Sequence, residues 1–325
     1  MNNLSHIILP VEEEIKTFQE LYEDAFKCHS SDFQHIIDYT SKTDGKKIRP
    51  LLLLLTAKTC GNINQNTLDY ALILELLHHA TLIHDDVVDD TKERRGISSM
   101  NAKYDNRIAV LAGDYILSIA ITKAVRTQNM QILGIIANLA SNLAEGELRQ
   151  LTISNGAVIN ESHYLDVIRK KTAILFSSCT EMGALSAGAN REIVENFRLF
   201  GEHIGICFQI KDDLFDYFEQ GKIGKPTGND IREGKITLPL IYALKNSANK
   251  KEAESMLKII KKNDFTEENI LLLTNFTKNN GGANYAMEKM KEYKQKSLDL
   301  IENFPTSAAK KSLLDLVDYI IERNK

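Results

Sequence analysis

The chain has 325 residues, 43% hydrophobic and 26% charged, with a net charge of −4. That supplies a sizeable core and no basic footprint for nucleic acid. Its cysteines, Cys28, Cys60, Cys179 and Cys207, form no CxxC pair, which argues against a zinc site or a disulfide framework and fits a reducing, cytoplasmic setting.

The first residues, MNNLSHIILPVEEEI, lack the basic start and long apolar run of a signal peptide. No run approaches about 18 apolar residues, so no membrane span is expected. Prolines occur only at 10, 50, 226, 239 and 305. Alternating strand patterns are missing, while apolar residues recur at a helical period. The spacing predicts an all-α protein with helices over 11–38, 50–59, 67–91, 107–126, 130–152, 160–188, 191–219, 236–247, 250–262, 266–278, 282–303 and 307–322. No Gly/Ser/Pro tract divides them, and residues 1–325 are expected to form a single domain.

The first basic motif, Gly45-Lys46-Lys47-Ile48-Arg49-Pro50, precedes a run of leucines. Pro50 suits a first helical turn, which puts Lys46 and Arg49 near free backbone N–H groups that favour anions. A solvated basic loop is the plain alternative.

The next stretch, HHATLIHDDVVDD (78–90), ends a long apolar-periodic segment. Asp85 and Asp89 share a helical face, as do Asp86 and Asp90, and like charges so spaced cost about 0.2–0.5 kcal/mol per pair. They also stand at the helix pole that disfavours anions. A hard cation would reverse both penalties, and carboxylates suit Mg²⁺ shared with a phosphate. His78, seven residues before Asp85, points roughly the same way. Arg94 and Arg95 follow, suited to bidentate phosphate contacts or, more plainly, to a helix C-cap.

Lys170-Lys171-Thr172 falls within a predicted helix. FQIKDDLFD (208–216) then repeats the acidic spacing with Asp212, Asp213 and Asp216, again at a helix end. One such cluster is usually a solvated face, but a second is hard to ascribe to chance. If the two ends face each other, the aspartates form a cage for several divalent ions and a bridging polyanion. The loop 221–235 adds Lys222, Lys225 and Lys235 among glycines.

Taken in order, GKKIRP, HHATLIHDDVVDD with ERRG, RKKTA, FQIKDDLFD and GKPTGNDIREGKITLP resemble the trans-isoprenyl (polyprenyl) diphosphate synthases, over about residues 20–325. The likeness is to long-chain, octaprenyl-type members. It implies one large helical bundle around a central cavity, working as a homodimer. It assigns Asp85, Asp86, Asp89, Asp212, Asp213 and Asp216 to metal, with about three Mg²⁺ ions on an allylic diphosphate. Arg94, Lys171 and Lys235 match basic residues around that diphosphate, with Lys225 and Gln209 nearby. Lys46, Arg49, His78 and Arg95 match a metal-free pocket for isopentenyl diphosphate. Gln209 and the Lys171–Thr172 helix carbonyls are expected to face the carbocation.

The implied reaction ionises the allylic C–O bond, lets the isopentenyl double bond attack the cation, and then loses a proton. Asp85, Asp89, Arg94, Lys171, Asp212 and Lys235 are the residues expected to carry it. Ala80 and Thr81, about 6–8 Å up the helix from the aspartates, are small where short-product relatives place aromatic rings. The expected product is therefore long, C30 or beyond, made for a quinone side chain and released with peripheral membrane contact. The alternatives are a C15–C20 synthase, a terpene cyclase and a non-catalytic partner subunit. A cyclase needs no isopentenyl pocket, and partner subunits tend to lose aspartates that this chain keeps.

Overall fold

The computed structural model describes residues 4–27, 31–41, 45–153, 160–218 and 228–322, with backbone alone at 151–153. Helices dominate, in the order α1 (Leu4–Ile8), α2 (Glu12–Ala25), α3 (Gln34–Ser41), α4 (Ile48–Cys60), α5 (Gln65–Val88), α6 (Met100–Lys103) and α7 (Asn106–Arg126). There follow α8 (Met130–Ile153), α9 (Glu161–Ile168), α10 (Ile174–Ser186), α11 (Arg191–Phe215) and α12 (Asn229–Arg232). The last are α13 (Leu238–Asn246), α14 (Lys250–Lys261), α15 (Glu267–Asn279), α16 (Gly282–Ile301) and α17 (Ala308–Glu322). The all-α expectation holds, with boundaries mostly within two or three residues.

Three differences have physical causes. The predicted helix 11–38 is two helices: Phe26 turns its N–H back to Glu23 and Asp24, and the Gln34 side-chain amide donates to the Phe26 carbonyl at 2.9 Å. The predicted helix 160–188 is interrupted by a π turn over Arg169–Ala173. A short hairpin, Glu93–Arg94 paired with Ile97–Ser98, follows α5. Its loop residues Arg95 and Gly96 both have positive φ, 52° and 82°, as a two-residue type I′ turn demands.

The chain packs as two compact units. The first holds residues 1–138, 178–198 and 304–316. There α4 is buried all round, Leu51 to Leu55 being at most 1% exposed, so it lies among neighbours as an apolar-sided helix must. A reciprocal capping box between Asn64 and Thr67 starts α5, and α7 runs along it. Contrary to the sequence expectation, α7 is long and apolar enough to cross a membrane, with a mean hydropathy of 1.7. A third of that stretch is buried within the chain, as befits a helix packed on α5.

The second unit holds residues 139–177, 199–303 and 317–325. Its centre is α13, which packs on α9, α14, α15 and α16. Tyr217, Ile231, Leu240, Ala243, Leu273 and Phe276 are buried in its core. This core lies beside the acidic end of α11 and holds Tyr217 one residue past Asp216.

Candidate active-site residues

In the first unit the acidic end of α5 separates its carboxylates by burial. Asp86 is 3% exposed, and Arg94 reaches back from the hairpin to hold it: Nε donates to both carboxylate oxygens at 2.9 Å, and Nη2 to Oδ1 at 2.6 Å. Asn101 donates to the Asp86 carbonyl at 3.1 Å. Asp85 is part-buried, and Asp89, the C-cap of α5, is exposed. The structure thus joins two residues given separate roles, metal for Asp86 and diphosphate for Arg94, and spends Asp86 on orienting Arg94.

The hairpin also carries Arg95 to the 45–50 loop. A Cβ built on Gly45 would lie 2.6 Å from an Arg95 guanidinium nitrogen, so the Arg95 side chain packs directly on the Gly45 backbone. His78 has its pKa lowered well below the usual imidazole range, by burial and then by Arg49, His79, Arg95 and Arg94. A neutral imidazole among three guanidiniums makes a cationic surface with one mixed donor and acceptor, suited to a polyanion. Lys46 is exposed on the same loop.

Lys47, passed over in the sequence, turns inward instead. It sits in the left-handed region at φ 47°, pairs with Glu75 at 3.3 Å and stacks 3.6 Å over the Tyr22 ring. Of the adjacent lysines, one is thus structural and Lys46 stays outward. Ala80 is 1% exposed, while Thr81 is part-exposed and donates its hydroxyl to the His78 carbonyl at 2.8 Å.

In the second unit the π turn brings three consecutive cations to three acids. Arg169 pairs with Glu202 on α11 at 3.1 Å, Lys170 with Glu145 on α8 at 2.6 Å, and Lys171 with Glu147 on α8 at 2.5 Å. Lys171 also donates to Gln150 at 3.3 Å. The wider turn lies hard against both helices. A Cβ on Gly205 would come 2.5 Å from the Ala173 Cα, and one on Gly146 would come 3.0 Å from the Lys171 nitrogen. Only glycine permits that approach. Wider turns of this kind are frequent at functional sites, and this one carries Lys171 and Thr172.

From Thr172 a hydrogen-bond chain runs to the second acidic cluster. The Thr172 hydroxyl donates to Gln209 at 2.7 Å, the Gln209 amide donates to Asp213 at 2.8 Å, and the Tyr164 hydroxyl donates to the other Asp213 oxygen at 2.6 Å. The Asp216 carboxylate accepts from the N–H groups of Asn229 and Asp230, at 2.7 and 3.0 Å. It thereby anchors α12 and the segment leading to Lys235, whose ammonium pairs with Glu233 at 2.5 Å. Lys225 and Lys222 lie outside the described residues.

Burial raises the pKa of Asp213, whose bonds to Tyr164 and Gln209 oppose the rise and whose neighbours Asp212 and Asp216 reinforce it. Asp230 is raised likewise, by burial and then by Asp213 and Asp216. Sequence reading missed Asp230 and Tyr164. Asp230 lay inside a quoted block, Tyr164 five residues before RKKTA outside any of them, and nothing in spacing told a buried aspartate from a surface one.

The donor set consists of hard oxygens in electron-rich clusters, which fits Mg²⁺. Among the described residues, no group of three or more His, Cys, Asp or Glu side chains converges to hold an ion by itself. Cys60, Cys179 and Cys207 are free, and burial pushes each thiol up to about 12, away from metal or nucleophilic chemistry.

Comparison with known proteins gives a consistent picture. The polyprenyl synthetase family model matches residues 30–274. An octaprenyl diphosphate synthase from Haemophilus influenzae is 35% identical over 290 residues, covering 88% of this chain and 87% of its own. A solved polyprenyl synthase from Caulobacter crescentus, complexed with calcium and isoprenyl diphosphate, superposes with a TM-score of 0.90 at 30% identity, covering 99% and 98% of the two chains. A solved geranylgeranyl pyrophosphate synthase from Bacteroides thetaiotaomicron is 40% identical, with a TM-score of 0.85 and coverage of 99% and 100%.

Proposed function

The chain belongs to the polyprenyl synthetase family, and on that premise we propose that it is a Mg²⁺-dependent trans-prenyltransferase making a long-chain all-trans polyprenyl diphosphate. It condenses isopentenyl diphosphate head to tail with an allylic primer such as farnesyl diphosphate. The observation that carries this reading is the double set of acidic helix ends, each with its own polar partners: Arg94 on Asp86, and Thr172, next to Lys171, leading through Gln209 to Asp213.

Asp85, Asp89 and Asp212 are the carboxylates assigned to metal. Asp86, Asp213 and Asp216 hold Arg94, Gln209 and the 228–235 segment in place. About three Mg²⁺ ions, when bound, supply the positive charge that stabilises the departing diphosphate. Arg94, Lys171 and Lys235 bind its oxygens. Lys46, Arg49, His78 and Arg95 bind isopentenyl diphosphate without metal, which leaves its C–O bond intact.

Small residues at Ala80 and Thr81 support a product of C30 or longer. The Bacteroides geranylgeranyl synthase, at 40% identity, favours a shorter C20 product as the second reading. Purified protein with isopentenyl and farnesyl diphosphates decides between them: Mg²⁺-dependent diphosphate release with a lipid of C30 or longer supports the first. Ala80→Phe should then shorten the product, and an unchanged distribution would discard the open-channel explanation.

The chain is further proposed to act as one domain and as a homodimer in the cytoplasm, releasing product to a membrane for a quinone side chain. Val110, Leu111, Ile121 and Val125 form an exposed apolar stripe on α7, up to 67% exposed at Leu111 and interrupted by the exposed Asp114 and Ser118, and this supports a second copy as its cover. A single cooperative unfolding transition is the test of one domain.

A further inference from the structure

We infer that Glu147 is a positioning residue that holds Lys171 in the free enzyme and competes with the diphosphate for its ammonium, so setting how tightly diphosphate is bound and how fast it leaves. This rests on the proposed function.

The geometry is specific to this pair. Glu147 lies on α8 one residue after Gly146, whose missing side chain lets the π turn come close, so the carboxylate meets Lys171 as the turn passes. Its Oε2 is 2.5 Å from the Lys171 ammonium, and the two side chains are 17% and 25% exposed. Its other oxygen, Oε1, is buried without a hydrogen-bond partner among the described residues. A carboxylate serving only to pin the turn would satisfy both oxygens, as Asp216 does with two backbone N–H groups. Glu145, the acid paired with Lys170, also shares its charge with Arg149 at 2.7 Å. Among the described residues Glu147 pairs with Lys171 and no second cation, and Gln150 offers the same ammonium a neutral second acceptor.

A diphosphate reaching Lys171 must therefore displace a carboxylate, and on leaving it is replaced by one. An ion pair traded for an ion pair binds less tightly than an anion meeting an unpaired, half-buried cation, which would favour release. Removing the charge of Glu147 while keeping its shape should tighten diphosphate binding, the opposite of what structural damage does.

The probe is inorganic pyrophosphate with Mg²⁺, titrated calorimetrically into the full-length protein and its Glu147→Gln variant. Tightening of about tenfold, with lower KM for the allylic substrate and lower kcat through slower release, is expected. The gain should vanish when Lys171→Gln is also present. Glu147→Asp, which keeps the charge but withdraws it by one methylene, should tighten less, and it serves if the glutamine variant does not fold. Unchanged or weakened pyrophosphate binding by a folded variant overturns the inference. Failure of the unaltered protein to bind pyrophosphate instead overturns the proposed function.

Discussion

Arg94 grips Asp86 with three hydrogen bonds of 2.6 to 2.9 Å, while Asp89, three residues on, stands exposed at the end of the same helix. The two aspartates should therefore fail differently. Asp86→Asn breaks a largely buried pair and should lower stability by about 1–3 kcal/mol, the full range for such pairs being discounted because Arg94 is 28% exposed. Asp89→Asn removes an anion from the negative pole of α5 and should leave stability unchanged or raise it by about 0.3–1 kcal/mol, while cutting turnover sharply. Urea unfolding of both variants beside their rates checks this.

His79 predicts a pH dependence. It is buried, accepts or donates at 3.0 Å with Tyr22, and has its pKa lowered to about 4 from the ordinary 6.5 by burial and then by Lys47, Arg95 and Arg94. The unfolded chain binds this proton at higher pH than the folded one does. Stability is thus fully present above about pH 6.5 and is lost as pH falls toward 4, by up to about 3 kcal/mol. His79→Gln, unable to titrate, should show a correspondingly flatter profile in urea unfolding across that window.

The π turn predicts intolerance at Gly205. Alanine ordinarily stabilises a helix by about 1 kcal/mol over glycine, but here its Cβ would fall 2.5 Å from the Ala173 Cα. The net effect of Gly205→Ala should be a loss of about 1–3 kcal/mol with a raised KM for the allylic substrate. Gly146→Ala, whose nearest neighbours lie at 3.0 to 3.2 Å, should lose less. Thermal melts and steady-state kinetics measure both.

How far the sequence reaches is clear from these residues. Apolar periodicity is a strong local signal, and it located α4, α5, α7, α8 and the helices from α13 on to within a few residues. The π turn was not legible, because RKKTA is ordinary helical sequence and the distortion comes from glycines on two other helices. The break after Phe26 was missed because no glycine or proline marks it in the predicted pattern. The hairpin was not legible: Gly96 permits a turn, but Arg95 gives no sign that it adopts positive φ. Motif reading found the acidic ends and their cations. It did not distinguish Asp86 and Asp213, buried and bonded to Arg94, Tyr164 and Gln209, from Asp85 and Asp212, because burial depends on packing remote in sequence.

The apolar stripe on α7 predicts that Ile121→Lys or Leu111→Glu converts a dimer into monomers without unfolding them. Sedimentation of each variant against the unaltered chain tests the homodimer. A stripe charged in this way that leaves the molecular mass unchanged removes α7 from the interface.

The most direct measurement of the account is Mg²⁺-supported prenyl transfer by Asp85→Ala and Asp212→Ala, each compared with the unaltered protein. Losing either carboxylate would remove a proposed metal ligand at the step where the diphosphate departs, and each variant is expected to fall by about a thousandfold in kcat with its fold intact. Turnover at the unaltered rate in either one would contradict the account.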